Sequence, residues 1–446
     1  MHLPRRGLLA SAALLAMPRL ARSQAAEAPP IVFVHGNGDH AALWLTTLWR
    51  FASNGFARDR LLALNLPDPL ARDDDTVPQP GRSGSAEQTQ RVAEAVAALR
   101  ARTGAARVAL IGNSRGGNPI RDFVVHQGGS DQVSHAILCG TPNRGVYDWP
   151  EIRNREFNST GPFLSRLNAG PSDVVPGTAF LTLRSAWNDV YAQPRAIWSA
   201  TPDRPTGTDV DGPELRGATN LVLGALDHRE VAYHWRAFRE QFRFIAGREP
   251  ERIAPLPEAR PVLSGLVTQT RPAPTNRPLA AAEVEVFRTD PATGARIGEA
   301  LHRRTTGADG AWGPVTVAPD WTLEIVVAAP GHTTTHFYRG PFPRSSDVVH
   351  LRPARALTPA EREASGCVLL LQRPRGYFGI PRDIVLLDGR QPPELRPGVA
   401  VTATATLRLP AGEAGRAVVG ICNEERVVAR AWPAAEGRIS VAELTF

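Results

Sequence analysis

The sequence contains no lysine, so all 51 of its basic side chains are arginine. Against 44 acidic residues they give a formal net charge of +7. Nucleic-acid-binding modules carry basic clusters interleaved with aromatic residues, or a recognisable motif, and neither is present. A positive charge spread along the chain as arginine alone indicates a compositional bias. We therefore expect no nucleic-acid partner.

Cysteine is also scarce, with three residues in 446. No Cys/His spacing resembles a zinc site, and we expect neither a metal nor a cofactor. Cys139 lies in an apolar run and is expected to be a buried small hydrophobe. Cys367 and Cys422 lie in strand-like stretches near the C-terminus. Whether these two form a disulfide stays open, because spacing does not fix the geometry of a pair.

Long apolar runs are missing as well, since none reaches the roughly 20 residues of a membrane-spanning helix. One short run, Gly7 to Met17, follows the pair Arg5-Arg6 and precedes small residues at Ser23-Gln24-Ala25. Paired arginines before a short apolar run are typical of a twin-arginine signal. We expect residues 1–25 to be a targeting segment and the protein to be periplasmic or extracellular.

The most informative stretch is residues 107–118. Val108 to Ile111 is a short apolar run of strand formers, and Gly112-Asn-Ser-Arg-Gly116 follows it as a G-x-S-x-G pattern. A potential helix, Ile120 to His126, comes next. Strand, sharp turn and helix in this order are the context of a nucleophile elbow. The glycines permit a strained turn, and the helix N-terminus behind Ser114 offers N–H groups to an anion.

Strand-like runs alternate with helical patterns over the first 250 residues. Such alternation predicts a mostly parallel sheet with helices on both faces. Ligands of such sheets bind outside the carboxyl ends of the strands, where Ser114 is expected. The expected strands are 31–35, 61–66, 108–111, 133–140, 178–183 and 220–223, and the expected helices are 43–56, 87–102, 120–126 and 235–245.

The composition changes at residues 249–261, which contain four prolines and are expected to be a linker. Beyond it, short alternating runs such as 283–287, 323–327 and 399–409 predict all-β sandwich or barrel modules. Asp309-Gly310 is a hairpin-type turn signal. A second joint near 353–364 divides this part of the chain. The predicted domains are a catalytic domain at 26–250, a first β module at 261–353 and a second at 354–446.

A serine hydroxyl needs a histidine to take its proton and a carboxylate to orient that histidine. In this fold the usual chain order is Ser, acid, His, on loops after later strands. Asp189 ends a short loop after the strand at 178–183, and His228 follows the strand at 220–223. Both side chains are expected at the same sheet edge as Ser114.

Several residues compete with Asp189 and His228 for these two roles. Asp227 is the main alternative acid, but adjacent residues rarely face each other well enough for a carboxylate to bond the neighbouring imidazole. Weaker candidates for the acid are Asp203, Asp209 and Asp211, and those for the base are His126, His135 and His234. His35 is expected to order the loop after the first strand.

Taken together, residues 31 to about 247 resemble secreted bacterial α/β-hydrolase lipases of the class 2 type. The matching segments are Val34-His-Gly36, Gly112-Asn-Ser-Arg-Gly116, Gly140-Thr-Pro-Asn-Arg-Gly145, the strand and loop ending at Asp189, and Leu215 to His228. This resemblance implies an α/β-hydrolase fold followed by C-terminal β domains.

The resemblance also implies the site: Ser114 as nucleophile, Asp189 as acid, His228 as base, and an oxyanion hole made by the backbone N–H groups of Asn37 and Arg115. Two positions depart from the family pattern. Asn113 stands where these lipases usually carry His, and Arg115 where they often carry Met or Gln. Neither change removes a catalytic group, because Arg115 contributes its main chain.

The expected function is that of an exported serine carboxylic-ester hydrolase, a lipase acting on acylglycerols or fatty acyl esters. The alternatives are an extracellular polyhydroxyalkanoate depolymerase and, from another class, a non-catalytic binding protein on a hydrolase fold. The expected partners are a lipid or polyester substrate and, peripherally, lipid surfaces. Residues 147–177 form either a lid or an ordinary surface insertion. The first β module resembles a carboxypeptidase-regulatory-like sandwich, and it either holds substrate or stabilises the enzyme.

Overall fold

A computed structural model describes residues 28–270 and 274–446. The predicted targeting segment, residues 1–25, lies outside the described residues. Within them, no helix has both the length and the apolar character needed to span a membrane.

The N-terminal half contains a six-stranded sheet in which every neighbouring pair is parallel. The strands of this half are β1 (Ile31–Val34), β2 (Leu61–Leu64), β3 (Leu70–Ala71), β4 (Arg82–Ser83), β5 (Val108–Asn113), β6 (Val133–Cys139), β7 (Ala179–Arg184) and β8 (Thr219–Val222). The sheet order is β2-β1-β5-β6-β7-β8, and β3 and β4 pair separately.

Helices cover both faces of this sheet. They are α1 (Leu45–Ser53), α2 (Ser85–Thr103), α3 (Gly117–His126), α4 (Pro162–Leu167), α5 (Glu230–Tyr233) and α6 (Trp235–Ala246). Strand β1 is apolar at every position because alternate side chains enter two cores: Phe33 packs with α1 and α6, and Val32 packs with α2 and α3. The predicted α/β-hydrolase fold is confirmed.

The described residues of the C-terminal half form strands and one short α-helix. They are β9 (Val262–Leu266), β10 (Glu283–Thr289), β11 (Arg296–Thr305), β12 (Ala311–Thr316), β13 (Thr322–Ala328), β14 (Thr334–Arg339), α7 (Pro359–Ala364), β15 (Cys367–Gln372), β16 (Val385–Leu387), β17 (Thr404–Leu409), β18 (Ala417–Cys422), β19 (Glu425–Arg430) and β20 (Arg438–Glu443). The predicted all-β character of this half is confirmed.

A seven-stranded sheet with the order β11-β10-β13-β14-β20-β15-β17 runs across the joint expected near 353–364. Strand β20 lies between β14 and β15 and is parallel to both. The division at 353/354 stays a prediction, but the two parts share this sheet. Two smaller sheets, β9-β12 and β16-β18-β19, complete the half.

The hairpin predicted at Asp309-Gly310 is wrong. Gly310 has the positive φ of a turn residue, 64°. However, β11 before it pairs with β10, and β12 after it pairs with β9. Gly310 packs against Pro278 and the Val267 carbonyl, so the chain turns towards β9 instead of returning along β11. All three cysteines are buried free thiols, and Cys367 and Cys422 are not paired.

The hydrolase half and the C-terminal half from β9 onwards, which we call the β region, share one apolar cluster. Trp49 of α1 meets Phe342 of the β region edge-on, with ring centroids 6.0 Å apart, and its indole N–H donates to the Ser345 carbonyl at 3.1 Å. The same cluster includes buried residues from β9, β10, β12, β13 and β14 and from α6. The β region is therefore packed directly against the hydrolase core.

Candidate active site

Ser114 lies in the sharp turn between β5 and α3, with a positive φ of 51°. Such a backbone is strained for a residue with a side chain and has to be held by its surroundings. A Cβ atom at Gly112 would lie 2.8 Å from the backbone of Gly116, and one at Gly116 would lie 2.5 Å from the Val34 carbonyl. Both glycines of the G-x-S-x-G pattern are therefore required by close backbone packing.

The three side chains predicted as nucleophile, base and acid lie within hydrogen-bond distance of one another. His228 Nε2 is 2.7 Å from Ser114 Oγ, and His228 Nδ1 is 2.9 Å from Asp189 Oδ1. Asp189 is 1% exposed and also accepts the N–H of Tyr191 at 3.0 Å. An imidazole oriented in this way can accept the serine proton on one nitrogen while the carboxylate holds the other.

Asp227, although adjacent to His228 in the sequence, faces away from the imidazole. Its Oδ1 accepts the backbone N–H groups of Arg229 and Glu230 at 2.7 and 2.9 Å. Its Oδ2 accepts the N–H of Tyr377, in the β region, at 2.8 Å. Among the two candidate carboxylates, only Asp189 contacts His228.

The weaker candidates for the acid and the base include residues that bind partners elsewhere. Asp211 forms an ion pair with Arg184 at 2.6 Å, and His135 contacts Ser134 at 3.0 Å. His234 precedes α6 and accepts the Arg236 N–H at 3.3 Å. None of these contacts reaches Ser114.

The loop after β1 is ordered by His35. The Leu66 N–H donates to His35 Nε2 at 3.1 Å, so the proton is on Nδ1, which donates to the Gly36 carbonyl at 2.9 Å. Burial lowers the pKa of His35 to about 4, and the ring therefore stays neutral. This arrangement agrees with a structural role for His35 in the loop.

The predicted oxyanion donors are the backbone N–H groups of Asn37 and Arg115. Arg115 is the second residue of the short helical turn Ser114–Gly116, where N–H groups have no partner within the turn. Gly36, just before Asn37, lies against the nucleophile, because a Cβ there would be 3.0 Å from Ser114 Cβ. The role of the two donors stays a prediction.

Both departures from the family pattern have structural partners. The Asn113 amide donates to the carbonyls of Cys139 and His228, each at 3.1 Å, and so holds the backbone of the base. The fully buried Arg115 guanidinium pairs with Glu156 at 2.7 Å. Since Glu156 belongs to residues 147–177, this buried ion pair ties that segment to the elbow and favours the surface-insertion interpretation over a lid.

A cavity of about 300 Å³ opens above Ser114 and His228. The stacked rings of Tyr147, Trp149 and Trp198 form one wall, with centroids 4.8 Å apart for the first pair and 5.8 Å for the second. Further lining residues are Asn37, Asp39, Arg72, Asp73, Arg82, Val146, Arg155, Phe157, Tyr191, Arg229 and Tyr377.

Tyr377 comes from the β region and was not predicted from the sequence. The Arg229 guanidinium lies 4.6 Å from its ring centroid and 3.4 Å from the Asp39 carboxylate. The sequence offers no signal for this contact, because a lone tyrosine about 150 residues beyond the base matches no motif. Among the described residues, no group of His, Cys, Asp and Glu is arranged to hold a metal ion.

Comparison with known proteins bears on this site. Residues 28–139, which include Ser114 and the loop after β1, match the family model of the class 2 lipases. The protein is a carboxylic ester hydrolase of the lipase and esterase type. Residues 261–356 of this hydrolase match the model of the lipase C-terminal domain. The resemblance inferred from the motifs is confirmed.

Several solved structures are similar to the hydrolase, whereas no curated protein matches it. The lin2722 gene product of Listeria innocua is 13% identical over 51% of this chain and 97% of its own, with a TM-score of 0.37. Aspergillus fumigatus lipase B is 16% identical over 51% and 54%, with a TM-score of 0.35. Bacillus licheniformis lipase BlEst2 in its propeptide form is 13% identical over 90% and 96%, with a TM-score of 0.35.

Proposed function

We propose that this hydrolase is a lipase that cleaves fatty acyl esters, including acylglycerols, through an acyl-enzyme on Ser114. The observation that carries the proposal is the hydrogen-bonded chain from Ser114 through His228 to Asp189. A serine alone is a poor nucleophile at neutral pH, and this chain supplies the base and its orienting carboxylate.

The first half of the reaction forms the acyl-enzyme. Ser114 Oγ attacks the ester carbonyl carbon while His228 Nε2 takes the hydroxyl proton. The carbonyl oxygen becomes an oxyanion that the N–H groups of Asn37 and Arg115 stabilise, at about 2.7–4 kcal/mol per donor in a studied protease. The tetrahedral intermediate then collapses, and His228 returns the proton to the leaving alcohol.

The second half releases the acid. A water molecule takes the place of the alcohol, His228 removes its proton, and the resulting hydroxide attacks the acyl carbon. Collapse of this second intermediate breaks the bond to Ser114 Oγ, which recovers its proton from His228. Asp189 orients the imidazole and stabilises the imidazolium.

The cavity supports an apolar acyl group as the bound part of the substrate. Its aromatic wall offers ring surfaces near Ser114. Each methylene buried against such a wall contributes roughly 0.8 kcal/mol. A volume of about 300 Å³ lies at the small end of the range for small-molecule sites, which favours short and medium acyl chains over the longest ones.

A chain-length series of p-nitrophenyl esters, assayed beside polyhydroxyalkanoate granules, tests the substrate class. We expect turnover to peak at short or medium acyl chains and to be weak on granules. A strong preference for granules would instead make the protein a depolymerase. Ser114→Ala should abolish turnover and labelling by a serine-directed phosphonate. Retention of activity in this variant would refute the mechanism.

We also propose that the enzyme is exported by the twin-arginine route, on the basis of Arg5-Arg6 and the short apolar run behind them. Replacing both arginines by lysine keeps the charge but removes the pair that the route reads. The double variant should accumulate unprocessed in the cytoplasm, which fractionation and immunoblotting would detect. Unchanged export would exclude this route.

A further inference from the structure

The β region reaches the loop after β1 through two side chains, Asn276 and Arg352. This loop contains Asn37, one of the two donors assigned above to the oxyanion. The inference developed from these contacts therefore rests on the proposed function and extends it to residues outside the hydrolase domain.

Asn276 is 2% exposed and lies against the loop. Its Nδ2 donates to the carbonyls of Asp39 and Leu66, both at 2.8 Å. Its backbone N–H donates to the Pro67 carbonyl at 2.8 Å. One side-chain amide thus joins the loop after β1 to the loop after β2.

Arg352 adds a second set of contacts to the loop after β1, and the two sets have only the Asp39 carbonyl in common. Its Nη1 donates to the Gly38 carbonyl at 3.2 Å, and its Nη2 lies 3.5 Å from the Asp39 carbonyl. Its Nη2 also donates to Asn276 Oδ1. Since a guanidinium can only donate, this bond fixes the orientation of the Asn276 amide and aims its NH₂ group at the loop.

The hydrolase domain holds the other side of the loop. Asn37 Oδ1 accepts the Ala71 N–H at 2.7 Å, and the Gly38 N–H donates to the Pro69 carbonyl at 3.2 Å. Gly38 has a φ of 71°, a left-handed conformation that glycine adopts without strain. The carbonyls of Gly38, which is half-buried, and of Asp39, which is buried, are the groups that the β region binds.

We propose that Asn276 and Arg352 are positioning residues for ester hydrolysis, and that through them the β region completes the oxyanion hole. They hold the carbonyls of Gly38 and Asp39, and the Asp39 N–H, which shares a peptide group with the Gly38 carbonyl, donates to the Gly36 carbonyl at 3.3 Å. The Gly36 carbonyl in turn shares its peptide group with the Asn37 N–H, so these contacts set the direction of that N–H. Without the two side chains, the Gly38 and Asp39 carbonyls turn towards water. The N–H of Asn37 is then no longer oriented towards the oxyanion.

The test compares Asn276→Ala and Arg352→Ala with the matched control Arg277→Ala. Arg277 is the next residue along the chain and binds the hydrolase domain through Asp68 at 2.9 Å, outside the loop after β1. Kinetics are measured per active site, with sites counted by phosphonate titration so that unfolded protein does not contribute.

We expect Asn276→Ala and Arg352→Ala to lower kcat by about tenfold with little change in KM, which is less than the 10²–10³ lost when an oxyanion donor is removed outright. Arg352→Lys keeps the positive charge but not the several N–H donors of the planar guanidinium. Its kcat should lie between those of Arg352→Ala and the parent enzyme. Arg277→Ala should match the parent enzyme.

A second measurement distinguishes a misoriented Asn37 N–H from a general loss of stability. An alkyl trifluoromethyl ketone forms an oxyanion on Ser114, so its affinity should weaken in parallel with kcat in the Asn276 and Arg352 variants. Equal kcat and inhibitor affinity in these variants and in Arg277→Ala would overturn the inference. So would a change in KM alone. Failure of the proposed function is distinguishable, because it would appear as activity or labelling that survives Ser114→Ala.

Discussion

Asp189 and Asp227 are two buried carboxylates on loops that follow neighbouring parallel strands, β7 and β8. Their exposures are 1% and 0%. Asp189 lies 39 positions from His228 and contacts its imidazole, whereas Asp227, next to it in the sequence, contacts the β region. One edge of the sheet therefore carries both the hydrogen-bonded catalytic residues and the docking site of the C-terminal half.

The reason lies in the local backbone. Asp227 lies three residues before the first residue of α5, Glu230, and its carboxylate accepts the N–H groups of Arg229 and Glu230, as carboxylates near helix N-termini commonly do. Its remaining oxygen is 3.3 Å from the buried Arg373 guanidinium, which also pairs with Glu230 at 2.6 Å. The next side chain, His228, points the opposite way, towards Ser114.

The largest effect is expected on the catalytic side. Asp189→Asn keeps the shape of the side chain but removes the charge that orients and stabilises the imidazole. We expect kcat to fall by about 10⁴-fold, as for the equivalent change in a studied protease. Stopped assays on a soluble nitrophenyl ester would measure the loss. A fall confined to Asp227→Asn would reverse the assignment of the two carboxylates.

On the docking side, Arg373→Leu should act on stability. The variant leaves Asp227 and Glu230 buried without their shared cation, and breaking a buried ion pair in this way costs about 3–5 kcal/mol. Urea unfolding should show the lower free energy of unfolding, while kcat per titrated site changes only slightly. Unchanged stability would show that the ion pairs of Arg373 do not contribute to the docking of the β region.

A smaller effect is expected for Asp227→Asn. Its single amide oxygen can accept on one side only, so either the Tyr377 N–H or the N–H groups of Arg229 and Glu230 lose their acceptor, and the charge opposite Arg373 is lost. We expect the free energy of unfolding to fall by about 1–3 kcal/mol. Activity per site should stay close to that of the parent enzyme, in contrast to Asp189→Asn. Thermal denaturation and kinetics on the same preparations would compare the stability and the activity per site of the two variants.

A change in slope rather than in overall stability is expected from a buried histidine of the β region. Burial lowers the pKa of His350, in the β region, from 6.5 to about 4. The neutral ring contributes stability that is fully present above pH 6.5 and is lost as the pH falls through 4, because the unfolded chain binds a proton that the folded chain does not.

His350→Gln, whose side chain can still accept the Leu266 N–H, should reduce the slope of unfolding free energy between pH 6.5 and 4 by up to about 1.4 kcal/mol per pH unit. Denaturant titrations across this window would measure the slope. An unchanged slope would assign the acid sensitivity to other buried histidines, such as His35.

The features that could be predicted from the sequence are those set by local backbone constraints. The Gly112 and Gly116 positions follow from the close packing of a strand-to-helix turn, and they identify Ser114. The fold follows from alternating strand and helix patterns. Asp189 and His228 follow from their places after β7 and β8, because parallel strands bring their carboxyl ends to one edge.

What could not be predicted depends on contacts between distant segments. Asn276, Arg352 and Tyr377 are single polar residues in stretches without a motif, and each gains its role only where the β region meets the hydrolase domain. The turn at Asp309-Gly310 shows the same limit. Its local conformation matches the signal, but strand pairing is decided by β9 and β10, not by the turn.

The central place of β20 in the seven-stranded sheet has a consequence for synthesis. Strands β14 and β15 are joined only through it, so a ribosome must release residues 438–443 before the sheet can close. Arg375 also donates to the carbonyls of Leu444 and Thr445, at 2.5 and 2.7 Å. Nascent chains can build the parallel sheet and its serine turn early, but the C-terminal sheet closes only when β20 has left the exit tunnel.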